Sequence, residues 1–192
     1  MNAPRYSISK GAWTGAVPGA EQEDLLPEIV APGLDVIFVG AAPSYHAARI
    51  GHYYAGPANR FWLLLSQAGL TPLPLLPEQD HEVLAYGIGL FAIFPHLCTS
   101  DNSLLPVPSP ELRDRVRRRL LELSPRFVCY NGKDVFRMAT GIVTCRWGLQ
   151  TEPLGRSSVF VVPSSSGRAD AWAADRLYLF RELRSLLSYA GV

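Results

Sequence analysis

Four short apolar runs, Asp35–Gly40, Ile88–Phe94, Phe127–Tyr130 and Ser158–Val162, each empty into a polar loop, and helical patterns lie between them. That alternation constrains the fold more than any other feature of the 192-residue chain. Strands separated by helices are joined by right-handed crossovers and lie mostly parallel, with helices covering both faces. The expected architecture is a three-layer α/β/α sandwich around a mostly parallel four-stranded sheet. Loops leaving the carboxyl ends of such strands converge on one crevice, so binding residues are sought there.

The helices are predicted near residues 58–69, entered through Pro57, near 78–86, from Pro110 onward, near 134–139 and over 170–189. Ser109-Pro110-Glu111 is a strong start, with a capping hydroxyl, proline at the first helical position and an early acid. After it, Leu112, Val116, Leu120 and Leu123 recur at helical spacing, and Arg113, Arg117 and Arg118 take the other face. In the last helix Trp172, Leu177, Phe180, Leu183 and Leu187 are expected inward, with Arg176, Arg181 and Arg184 mostly outward. Residues 1–32 mix Pro, Gly, Ala and acids without periodicity and are expected to form an N-terminal arm, partly disordered. Residues 33–192 then form a single domain, which 48% hydrophobic content can supply with a core.

A formal net charge of +1 announces no nucleic-acid protein, although only Lys10 and Lys133 among the eighteen basic residues are lysines. Arginine suits phosphates and stacks on bases, and a GC-rich genome yields the same bias. Cys98, Cys129 and Cys145 are too few for a four-cysteine cluster and form no CxxC pair, so reduced, mostly buried thiols are expected. No cationic-then-apolar signal opens the chain, and the uncharged run Leu84–Cys98 is interrupted by glycine and proline and too short to span a bilayer. Neither a GxGxxG nor a P-loop motif occurs.

The stretch after the first strand, Gly40–Trp62, holds two His, three Tyr and two Arg framed by Gly and Pro, which is poor core material and good binding material. Its Gly40-Ala41-Ala42-Pro43, Gly51-His52-Tyr53-Tyr54 and Gly56-Pro57-Ala58-Asn59-Arg60-Phe61-Trp62, with the turn Asn131-Gly132-Lys133 and the late Pro163-Ser164-Ser165-Ser166-Gly167-Arg168, resemble the mismatch-specific uracil/thymine-DNA glycosylases. That family is part of the uracil-DNA glycosylase superfamily, and the resemblance runs in order from about Asp35 to Leu187.

The resemblance implies a monofunctional enzyme of base excision repair that flips a base out of DNA and hydrolyses its N-glycosidic bond without metal or cofactor. It further implies a monomer in the bacterial cytoplasm, at the nucleoid, acting on double-stranded DNA containing uracil or related lesions, with single-stranded DNA as a further form and no membrane. It places Ala41, Ala42, Tyr53 and Tyr54 around the base, joined by Ala92, His96 and Asn102. It places Ser164, Ser165, Ser166, Gly167, Arg168, Lys133 and Asn59 on the DNA. Tyr54 matches the aromatic that stacks on the extruded base, and Arg168 the residue inserted into the vacated stack.

One position departs. The family's first motif reads Gly-Ile-Asn-Pro-Gly, its Asn holds the attacking water, and an ungapped match puts that Asn on Ala42, which cannot hold one. Another residue takes over, or transition-state electrostatics suffice, or the protein reads lesions without cutting. The replacement candidates are His52, by position, and Asp101, by chemistry. Ala92, where relatives place an Asn that bonds the base, implies a roomier pocket with hypoxanthine, xanthine or ethenocytosine as substrates beside uracil. The Arg-rich face of residues 113–119 is expected to be a solvated helix surface.

Overall fold

A computed structural model of the protein describes residues 24–167 and 173–189. Four strands, β1 (Val36–Gly40), β2 (Ile88–Ala92), β3 (Phe127–Asn131) and β5 (Ser158–Val162), run parallel. A fifth, β4 (Gly148–Leu149), pairs antiparallel with β5, so the sheet has order β2-β1-β3-β5-β4 and one strand more than expected. A two-residue strand carries too little alternation to announce itself in the sequence.

Successive side chains of each strand face opposite ways, and because both faces are covered every strand reads as a continuous apolar run. Val36, Phe38, Leu90, Cys129, Phe160 and Val162 pack on one face with α2 (Phe61–Gln67) and α5 (Ala173–Tyr189). Ile37, Val39, Val128, Val159 and Val161 pack on the other with α3 (Pro110–Leu123) and α4 (Lys133–Thr140). Phe38 stands at the centre of the first layer, edge-on to Phe61 at 5.1 Å and stacked on Phe180 at 5.6 Å. Each such fully buried side chain contributes roughly 1.5–3 kcal/mol of transfer free energy.

Several local expectations are corrected. The loop after β1 contains a helix, α1 (Tyr45–Ile50), capped by the Ser44 hydroxyl, which accepts from the Ala47 N–H at 3.1 Å, and closed by Gly51 at φ 79°. α2 begins at Phe61 rather than near residue 58, because the Asn59 side chain accepts the Phe61 N–H at 3.0 Å. The segment Pro77–Tyr86 is a 3-10 helix with a break at Gln79. Arg176 is buried rather than outward, since residues 176, 180, 183 and 187 share one face of α5. Cys129 is buried, whereas Cys98 and Cys145 are half-exposed, and all three are free thiols.

The described part of the N-terminal arm lies on the domain. Ile29 bridges Leu90 of β2, the Leu25 N–H donates to the Pro95 carbonyl, and Leu26 is buried. Residues 1–23 lie outside the described residues, as does Trp172. Among the described residues no helix is long and apolar enough to cross a membrane.

Candidate active site

The pairing register brings Gly40 beside Ala92 and Asn131 beside Val162, so the carboxyl ends of the parallel strands lie level. Above them opens a cleft of about 1040 Å³. Ala41, Ala42, Ala92, Tyr53, Tyr54, Asn59, Asp101, Asn102, Ser164, Ser165, Ser166 and Gly167 all line it. Residues as distant in the chain as 41 and 167 therefore face one space.

Tyr54 forms an aromatic wall. Its ring stacks on Phe61 with centroids 3.9 Å apart and planes inclined by 23°, and Phe61 in turn rests on Phe38. The backbone at Tyr54 is left-handed, φ 54°, a conformation costing a non-glycine residue on the order of 1–3 kcal/mol. Its hydroxyl ends at β1, where a Cβ on Gly40 would lie 3.3 Å away. Burial pushes the Tyr54 phenol well above the usual tyrosine range, an effect the nearby Asn131 side chain partly opposes. The Asn131 amide approaches this hydroxyl without closing a hydrogen bond of ordinary geometry. Tyr53 beside it is buried, and desolvation raises its phenol likewise, so both rings are neutral at physiological pH.

The serine loop is stitched to the rest of the cleft. Asn131, at the end of β3, accepts the Ser165 N–H through Oδ1 at 2.9 Å and donates from Nδ2 to the Ser165 hydroxyl at 2.8 Å. The Ser165 carbonyl accepts the Arg60 N–H at 2.8 Å, and Gly167 abuts Ala58 so closely that a Cβ there would lie 2.8 Å from the Ala58 Cβ. Ser165 is wholly buried, so its hydroxyl latches the loop to β3 and is withheld from phosphates. Ser164 and Ser166 are half-exposed on the cleft. Arg168 falls outside the described residues.

The two candidates for holding water are placed differently. Asp101 lines the cleft, and its Oδ1 accepts from the Ser103 N–H at 3.0 Å and hydroxyl at 2.7 Å, which orients the carboxylate at the head of a 3-10 turn, Asn102–Leu104. His52 does not line the cleft: its Nδ1 lies 3.4 Å from Oδ1 of Asp80. His96 and Lys133 are also outside the lining, and Lys133 instead places its ammonium 4.4 Å from the Trp147 ring centroid. On α3, Arg118 pairs with Asp114 and Arg119 with Glu28, while the Arg113 guanidinium bonds the Met138 carbonyl.

Three contributors were not singled out by sequence. His46 on α1 faces the cleft, and the Ser44 cap was the signal that would have revealed its helix. Asn131 was read only as part of a turn. Asp80 accepts the Tyr53 N–H at 3.0 Å across twenty-seven positions, which no local pattern discloses. Among the described residues no cluster of His, Cys, Asp and Glu is placed to hold a metal ion.

The model of the uracil DNA glycosylase superfamily matches residues 27–188, nearly the whole described domain. The chain belongs to that superfamily. Among solved structures it is similar to the solution NMR structure of a candidate uracil DNA glycosylase from Methanosarcina acetivorans, at 20% identity and a TM-score of 0.54. That match covers 83% of this chain and 96% of the other. At this identity it speaks to the fold: a superfamily α/β domain whose strand ends carry the cleft described above.

Proposed function

We propose that this superfamily member is a monofunctional DNA glycosylase which excises uracil, and other deaminated or damaged bases, from double-stranded DNA. The carrying observation is that one cleft gathers an aromatic wall at Tyr54, a carboxylate at Asp101 and the Ser164–Gly167 loop. An extruded base stacks on Tyr54, a contact worth ~1–3 kcal/mol with little base preference. The Ser164 and Ser166 side chains hold phosphates on either side of it.

Cleavage breaks the bond between C1′ and the base nitrogen. The base leaves with the electron pair, and the sugar passes through an oxocarbenium-like state that water attacks at C1′. With Ala42 unable to hold that water, Asp101 takes over, a carboxylate on the cleft lining whose Oδ1 is anchored by the Ser103 N–H and hydroxyl. The water's proton passes to the carboxylate and then to the departing base. The small side chains of Ala41, Ala42 and Ala92 leave width for a purine, which favours hypoxanthine and xanthine as substrates beside uracil and ethenocytosine.

A second reading rests on Ala42 itself: a protein that binds damaged or abasic DNA without cutting it. Incubation with a labelled uracil-containing duplex followed by alkali separates the two. Strand scission at the uracil is expected; an intact strand with shifted mobility would replace the enzyme reading with the second.

A further inference from the structure

Asp80, in the 3-10 segment Pro77–Tyr86, is a buried carboxylate at 5% exposure, set just after the break at Gln79. A buried carboxylate is costly unless donors answer it. The Tyr53 N–H donates to its Oδ2 at 3.0 Å, and His52 Nδ1 lies 3.4 Å from its Oδ1 without closing a hydrogen bond.

The consequence follows from which peptide groups are held. The Tyr53 N–H belongs to the peptide plane before Tyr53, and Asp80 fixes it. The Tyr53 carbonyl belongs to the plane after it, and accepts the Trp62 indole N–H at 3.1 Å. With both planes held, the chain reaches Tyr54 in one orientation, and placing its ring on Phe61 requires the positive φ it shows. An unfavoured backbone conformation persists only where its surroundings over-determine it.

We infer that Asp80 is the positioning residue of this site: by clamping the Tyr53 N–H it holds Tyr54 in its left-handed conformation against Phe61, presenting the ring to an extruded base. What the ring receives rests on the glycosylase reading; how the ring is held rests on the contacts of Asp80 and Trp62. His52 lies against this carboxylate, outside the cleft lining.

Amide hydrogen exchange tests the clamp without needing catalysis. In Asp80→Ala the Tyr53 amide loses a charged acceptor and its exchange is expected to rise on the order of 10- to 100-fold, with β1 and β3 amides unchanged. Asp80→Asn keeps an acceptor oxygen and is expected to retain most of the protection. Single-turnover excision of uracil then tests the linkage. Asp80→Ala is expected to fall about tenfold, Asp80→Asn to recover much of that loss, and Asp80→Ala/Tyr54→Ala to be no slower than Tyr54→Ala alone.

Unchanged exchange at Tyr53, protection lost across the whole sheet in both variants, or losses that multiply in the double variant would each overturn the inference. A wild-type protein that excises nothing would defeat the glycosylase reading instead, and exchange would still decide the role of Asp80.

Discussion

The loops Gly40–Phe61 and Thr99–Ser109 border the same cleft but are held in different ways. The first is tied from elsewhere: Asp80 grips the Tyr53 N–H, Trp62 its carbonyl, and the Ser165 carbonyl takes the Arg60 N–H. Among the described residues, the hydrogen bonds of the second run mainly within itself. The Thr99 hydroxyl exchanges hydrogen bonds with Asp101, Asp101 holds Ser103, and the Leu104 N–H donates to the Asp101 carbonyl, while the Thr99 N–H reaches across to Pro43. Leu104 and Val107 of this loop are 74% and 85% exposed. A group that must stack on a rotated base benefits from a surface that does not yield, because rigidity removes an ordering cost at binding. A carboxylate that must meet water and sugar as DNA closes over it can ride on a loop whose contacts are local.

The sharpest way to break this contrast is Asp101→Asn. Asparagine still offers an acceptor to Ser103 and so retains the turn, but it is no base. Single-turnover excision is expected to fall ~10²–10⁴-fold with duplex affinity and thermal midpoint close to wild type. A rate near wild type would reduce Asp101 to a cap of its 3-10 turn.

The seam between the tied loop and the serine loop offers a second test. A methyl at residue 167 would lie 2.8 Å from the Ala58 Cβ and 3.0 Å from its carbonyl oxygen, and since one contact is backbone the two loops must separate. For Gly167→Ala, anisotropy with a uracil duplex at fixed salt is expected to show affinity weakened about tenfold, through misplaced phosphate contacts. Unchanged affinity would mean that the loops act independently and that the comparison drawn above concerns packing alone.

How much of this was legible in the chain follows from the range of the forces involved. Strands covered on both faces declare themselves as apolar runs, so β1, β2, β3 and β5 were readable and the sheet followed from their alternation with helices. The convergence of Tyr54, Asp101 and Ser164–Gly167 was also anticipated, because strand ends in a parallel sheet share one edge. Bonds made across the fold were not. Serine in a glycine-bounded loop looks like a phosphate ligand, yet Ser165 is spent on Asn131, thirty-four positions away. Arg176 looks outward by its charge but shares a helix face with Phe180 and Leu183. His52 looks reactive beside the tyrosines, yet its Nδ1 lies 3.4 Å from the carboxylate of Asp80, from another segment, and the residue does not line the cleft.

That last placement supports the smallest of the expected effects. His52 is 30% exposed at its side chain, and even a charged pair of this partly solvated kind is worth only ~0–1 kcal/mol. Its loss leaves the Asp80–Tyr53 bond, the Trp62 bond and the Phe61 stack in place, so the tied loop retains three of its restraints. In His52→Gln, excision under single-turnover conditions is therefore expected to drop by no more than about fivefold. Asp101→Asn measured alongside it gives the ratio that matters, because the contrast between a held platform and a self-tied reactive loop requires the carboxylate variant to be far slower. If the order were reversed, with His52→Gln down a hundredfold and Asp101→Asn untouched, the imidazole would have to leave Asp80 and enter the cleft during turnover. The loop tied from elsewhere would then be the one that moves, and Ala42 would have been replaced from its own strand end rather than from the neighbouring one.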